Sequence, residues 1–328
     1  MESRDLRRAP LSAADFARAA SEIYTALAPS PQIAWPLLAE RCGCEVWLKH
    51  ENHLPTGAFK VRGGVWFMSE LATAHPECPG VVAATRGNHG QSVAFAARRH
   101  GLRAVVVAPH GNNPEKNRAM RALGAELIEH GEDFNAALDH AHALAAEQGL
   151  FAMPSYHSTL VQGVGTYAYE FLRAVPDLDA IYVPIGLGSG IAGTVAARDA
   201  LGLRTEVVGV VAAGADAYAR SFAAGQVVAT ARADTLADGV AVRVPSAEAL
   251  TYLLEGVARV VTVDDDAILD AMGVLLSDTH NLVEGAAAAP LAALLAERER
   301  QAGRRVGLVV SGANVDRATL ARVLARAP

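Results

Sequence analysis

The feature that most constrains this chain is a repeated alternation of short β-branched runs with segments of helical spacing. Val81–Thr85 (VVAAT) runs through Gly87-Asn88-His89-Gly90 into a helix, SVAFAARRH, which Gly101 stops just past its end. Arg103–Pro109 is the next strand, followed by a helix that Pro114 opens and Gly124 ends. Glu126–Glu129 and Phe134–Gln148 form a third pair. Farther on come a helix near Gly165–Ala174, the strand Ala180–Ile185, a glycine loop, a helix and the strand Glu206–Ala212. Arg259–Val263, an alanine-rich helix near Glu284–Arg298 and the strand Val306–Val310 complete the series. Parallel neighbours need a crossover, so this pattern predicts an α/β protein with two open, twisted, mostly parallel sheets. At 328 residues the chain exceeds the usual size of one core. Residues 73–158 read as a small α/β domain inserted into a large domain made of residues 1–72 and 159–328. A ligand site is expected where the carboxyl ends of the two sets of strands face each other.

Composition narrows the function classes. Apolar residues make up 51% of the chain and charged residues 20%, with a net charge of -6 and no block of like charges. A nucleic acid or an anionic membrane would select for a basic face, so neither is expected as a partner. Cys42, Cys44 and Cys78 make neither a disulfide framework nor a zinc ribbon, which fits a reducing compartment. The N-terminal residues MESRDLRRAPLSAADFARAA lack the apolar core of a secretory signal. No run approaches the roughly 18 apolar residues of a spanning helix. A cytoplasmic protein is expected.

Four motifs carry chemistry. In LKHENHLPTGAFKVRGG, Leu48–Gly64, Lys60 stands between Phe59 and Val61 after a Pro-Thr-Gly turn. Apolar surroundings disfavour the ammonium form, and a neutral amine attacks aldehydes; a solvated helix lysine is the structural alternative. Gly186-Leu187-Gly188-Ser189-Gly190 reads as a surface turn between a strand and a helix. Its N–H groups and the helix start suit a single phosphate. No Lys-Ser/Thr follows as in a P-loop, and no acid ends the next strand to hold a ribose. Thr85-Arg86-Gly87-Asn88-His89 can receive a carboxylate on its N–H groups, with Asn88 offering an amide and His89 either a base or a structural cap. Ser311-Gly312-Ala313-Asn314 follows a buried strand, and its hydroxyl could meet a heterocyclic nitrogen or simply cap the next helix.

In this order, the four motifs resemble the threonine/serine dehydratase family of fold type II pyridoxal phosphate enzymes, whose relatives include serine racemase and hydroxyaspartate dehydratase. The resemblance runs from about Leu11 to the C-terminus and implies pyridoxal 5'-phosphate as cofactor, the tryptophan synthase beta-like fold, a small amino-acid substrate and a homodimer. Lys60 matches the Schiff-base lysine and Phe59 lies beside the ring. Asn88 matches the partner of the ring hydroxyl, and Gly186, Leu187, Gly188, Ser189 and Gly190 match the phosphate loop, with Leu187 and Ser189 replacing two usual glycines. Glu284 matches an acidic residue near the ring and Ser311 the hydroxyl at the pyridine nitrogen. Thr85, Arg86, Gly87 and His89 fall at the substrate. A neutral serine at that nitrogen makes the ring a weaker electron sink than a carboxylate would, which favours prompt loss of a β-leaving group. Elimination of water and ammonia from threonine or serine is therefore the expected reaction.

Departures from the pattern bear on that expectation. Arg86 stands where the racemase has a serine that protonates the opposite face, and a guanidinium cannot do so. It could instead hold a second carboxylate bidentately, which makes 3-hydroxyaspartate the alternative substrate; the structural alternative is an outward arginine paired with an acid. Val211 stands where serine racemase begins a divalent-cation site, so no metal is expected. The pocket lining reads Met153-Pro154-Ser155-Tyr156-His157 in place of the usual His-Pro pair. No regulatory domain is expected after the Ser311 strand. A β-replacement synthase and a non-catalytic cofactor-binding protein are the remaining alternatives.

Overall fold

The apolar runs pair into two separate sheets in a computed structural model that describes residues 10–326. The first nine and last two residues of the expected large domain lie outside the described residues. The ten strands are β1 (Gln32–Ala34), β2 (Glu45–His50), β3 (Gly80–Ala84), β4 (Arg103–Ala108), β5 (Glu126–Glu129), β6 (Phe151–Ala152), β7 (Ala180–Pro184), β8 (Glu206–Ala212), β9 (Val257–Val263) and β10 (Arg305–Val310). The six-stranded sheet has the order β1-β2-β10-β7-β8-β9 and the four-stranded sheet β5-β4-β3-β6. All pairs are parallel except β1 with β2. This is the predicted α/β class with two mostly parallel sheets.

Contacts divide the chain into two compact units. The second takes Arg18–Ala28 and Leu54–Val164 and contains the four-stranded sheet. Val82, Val105 and Val107 face Ala137, Ala141 and Leu144 of the helix Phe134–Gln148. On the other side Val81 and Ala83 pack with Val61, Val65 and Met68. The sequence boundary at residue 73 gave the helix Lys60–Ala74 to the large domain, but it belongs to this unit. Small residues explain why. A Cβ on Gly64 would lie 2.2 Å from Ser92 Oγ, and one on Gly163 would lie 2.9 Å from Gly63 Cα. Glycines at these positions let the Lys60 helix close onto its neighbours, a tertiary preference that helical periodicity does not report.

The first unit takes the chain up to Ala17, Pro29–His53 and the residues from Gly165 onward. Its strands β7, β8 and β10 are almost wholly buried, as parallel strands covered on both faces must be. The alanine-rich helix Gly285–Ala296 is buried through Leu294 and lies along β7, β8, β9 and β10. Lys49 on β2 is fully buried and is held by Glu170 at 2.6 Å, Ser30 O at 2.8 Å and Gln32 Oε1 at 3.1 Å. A buried cation persists only when paired and hydrogen-bonded in this way. Cys42 and Cys44 are buried in the same core, which pushes their thiols up to about 12 and about 11. Among the described residues, no helix is long and apolar enough to cross a membrane.

Candidate functional site

The expected residues fall into two sets, one in each unit. In the second unit, Lys60 is the first residue of its helix and Phe59 its N-cap, both partly buried. Lys60 Nζ lies 4.8 Å from the centre of the Phe59 ring. The Lys60 carbonyl accepts a hydrogen bond from Ser92 Oγ at 2.7 Å, so its backbone is fixed against the helix Asn88–Arg99.

That helix begins where β3 ends. Thr85 is buried, and its Oγ1 accepts the Gly87 N–H at 3.1 Å. Gly87 is the N-cap, and no side chain caps the first turn, so the helix start can receive an anion. A Cβ on Gly90 would sit 2.4 Å from Met120 Sδ and 2.5 Å from Thr85 Cγ2, which leaves only glycine there. His89 Nε2 is buried without a hydrogen-bond partner. Burial, and then the charge of Lys60, pushes the His89 imidazole down to about 3, so it is neutral at physiological pH. Arg86 is exposed; its carbonyl accepts from Asn112 Nδ2 at 3.1 Å, and no acid pairs with its guanidinium among the described residues.

In the first unit, Gly186–Gly190 follow β7. The expectation of a surface turn is corrected here, because Gly188, Ser189 and Gly190 are buried. The loop is pressed against neighbouring backbone: a Cβ on Gly186 would meet Gly239 O at 2.3 Å. Gly188 has φ +102, and a Cβ there would meet Ala249 Cβ at 2.4 Å. Gly188 is the N-cap of the helix Ser189–Ala200, and again no side chain caps it. Ser311 follows β10, which pairs in parallel with β7, so Ser311 and the glycine loop leave the sheet at its carboxyl end. Ser311 is 4% exposed. Glu284, also buried, is the N-cap of the helix Gly285–Ala296, and its N–H donates to Gly312 O at 3.0 Å. That bond joins Glu284 to the segment just after Ser311.

Sequence reasoning missed a polar cluster in the first unit. Trp35 Nε1 donates to His50 Nε2 at 3.0 Å, and Asn52 Nδ2 donates to Asn281 Oδ1 at 3.1 Å. Asn281 Nδ2 in turn donates to Thr279 O at 2.8 Å, which steadies the segment leading to Glu284. His280, within that segment, is the one non-glycine described residue with positive φ, at 55°. The Asn-His spacing in HENH was the only local signal, because Asn281 is 229 residues away from Asn52.

The enclosed imidazoles of His50 and His89 make stability depend on pH. Burial, and then His53, pushes His50 down to about 4 from an ordinary 6.5. Below about pH 6.5 the unfolded chain therefore binds protons that the folded chain does not. Their contribution is complete above pH 6.5 and declines toward pH 4 and below, by up to about 1.4 kcal/mol per pH unit for each histidine. The midpoint of thermal unfolding is expected to fall as pH drops from 6.5 to 4.5, and more shallowly in His50→Gln. Parallel curves for the two proteins would show that His50 titrates normally.

The donor set fits pyridoxal phosphate. The second unit offers a primary amine and a helix start without a side-chain cap; the first offers another such helix start, a loop with no room for a Cβ at Gly186 or Gly188, and the hydroxyl of the buried Ser311. Residues 23–312 match the family described as "Pyridoxal-phosphate dependent enzyme", and the chain belongs to that family. Its cofactor is pyridoxal phosphate. The chain is 37% identical over 292 residues to an L-threonine ammonia-lyase of Geobacter sulfurreducens, covering 88% of this chain and 72% of that protein. Among solved structures it is similar to the processed form of threonine deaminase isoform 2 from Solanum lycopersicum, with TM-score 0.87 and 28% identity over 98% of each chain. Maize serine racemase gives TM-score 0.90 and 28% identity over 96% of this chain and 97% of that one. Lyases and a racemase thus share this fold, so the reaction has to be argued from the site.

Proposed function

We propose that the protein is an ammonia-lyase that eliminates water from threonine or serine to give an enamine, whose hydrolysis takes the water up again and yields a 2-keto acid and ammonia. Ser311 carries the reading: a neutral hydroxyl on a buried residue at the carboxyl end of β10 suits the weaker electron sink that elimination needs. The likeness to L-threonine ammonia-lyase supports the same substrate class. When bound, the cofactor accepts the electrons left at the substrate Cα.

The chain's own residues do the rest. Lys60 is the amine that would hold the cofactor at its aldehyde carbon and would serve as the base for the substrate Cα proton. The N–H groups of Gly186–Gly190 and the helix start behind them would bind the phosphate, Asn88 would serve the ring hydroxyl, and Glu284 would serve the ring. Phe59 bounds the cofactor beside Lys60. The helix start at Gly87, with Thr85 bracing its N–H, receives the substrate carboxylate. His89, neutral and largely enclosed, supplies a polar wall without adding charge. The reading extends to a cytoplasmic homodimer that needs no divalent metal. The side chain of Val211, fully buried in β8, offers no carboxylate.

The unpaired, exposed Arg86 favours a second reading, in which the substrate is 3-hydroxyaspartate. A panel of hydroxy amino acids scored by 2-keto acid release separates the two. Threonine and serine are expected to lead, and Arg86→Ala is expected to leave their ranking alone. A lead for 3-hydroxyaspartate, with a loss of about 2 kcal/mol or more on that substrate in Arg86→Ala, would overturn the threonine reading.

A further inference from the structure

We infer that Tyr218 is a positioning residue for the cofactor phosphate, acting through the glycine loop. Tyr218 lies on the helix Ala217–Ala224 and is 1% exposed. Its hydroxyl donates to the carbonyl of Leu187 at 2.7 Å and accepts the N–H of Ser246 at 3.0 Å. Ser246 is the N-cap of the helix Ala247–Gly256, whose Ala249 forms the wall against Gly188. A single hydroxyl therefore ties the loop to two helices.

The consequence follows from peptide geometry. In a trans peptide the C=O and the following N–H point in opposite directions. Holding the Leu187 carbonyl toward Tyr218 turns the Gly188 N–H away from Tyr218. Gly188 at φ +102 has no side chain to resist rotation, so the loop alone does not hold this peptide in place. The Tyr218 hydroxyl does. Burial holds its pKa above the ordinary tyrosine value, so the hydroxyl stays protonated and able to donate.

The inference rests on the reading that Gly186–Gly190 bind the phosphate, and the experiment separates the two. Full-length protein, freed of cofactor, is titrated with pyridoxal phosphate and with pyridoxal, which lacks the phosphate, following the absorbance of the bound ring. Tyr218→Phe keeps the ring and loses only the hydroxyl. It is expected to weaken pyridoxal phosphate binding by about tenfold or more and to leave pyridoxal affinity unchanged. Unchanged affinity for both, or equal losses on both, would overturn the inference. Gly188→Val is the control for the underlying reading. If Gly188→Val also fails to discriminate between the two ligands, the phosphate is bound elsewhere and both readings fall. If Gly188→Val discriminates and Tyr218→Phe does not, the loop reading stands and the role of Tyr218 is refuted.

Discussion

Lys60→Ala is expected to abolish turnover, lowering kcat by about three orders of magnitude or more, and to leave the purified protein without the yellow colour of bound cofactor. The expectation comes from position. Lys60 is the amine at the head of its helix, 4.8 Å from the Phe59 ring and close enough to depress the imidazole of His89. Folding should survive, because the bond from Ser92 Oγ goes to the Lys60 carbonyl, which alanine keeps. Visible absorbance and 2-keto acid release are the measurements, with thermal unfolding as the control. Activity within tenfold of wild type would sink the assignment of this lysine.

Gly188→Val is expected to weaken pyridoxal phosphate binding by about a hundredfold. Two effects act together. At φ +102 a β-branched residue is strained, by about 1–3 kcal/mol. Its Cβ would also overlap Ala249 Cβ at 2.4 Å, inside a buried loop that can move only by opening. Either relief displaces the N–H groups at the start of the helix Ser189–Ala200. A moderate drop in the unfolding midpoint should accompany the loss, because Gly188 is buried. Wild-type cofactor affinity in the folded variant would mean that the phosphate binds elsewhere.

How much of this was legible in the sequence depended on the range of the interaction. β3, β4, β5, β7, β8 and β10 were each readable to within a residue or so, because apolar runs between glycines and prolines are local signals. β1 and β2 were not read as strands. β2 was seen only as the approach to Lys60, and its place in the sheet depends on pairing with β10 across most of the chain. The helix Lys60–Ala74 was assigned to the wrong unit for a similar reason, since its partner was chosen by close approach at Gly64 rather than by spacing. The motif residues could be singled out in the sequence because each sits at a strand end or helix start, where glycine, serine and asparagine carry conformational meaning. The supports behind them, Ser92 under Lys60 and the Asn52–Asn281 bond, join residues tens to hundreds of positions apart. No spacing rule predicts those.

The strand order of the six-stranded sheet bears on how the protein is made. β2 pairs with β10 from Glu45↔Arg305 to His50↔Val310, so the second strand of the chain waits for the tenth. The four strands of the other sheet all lie between Gly80 and Ala152 and can assemble while the ribosome is still reading the second half of the message. Val46 and Leu48, both fully buried in the finished protein, have only the short β1 and the helix Pro36–Cys42 as early partners. Their parallel partner β10 is missing until some 260 further residues have emerged. The nascent chain thus carries an apolar edge a few residues before Lys60 for most of its synthesis, which makes this stretch the natural client of a chaperone.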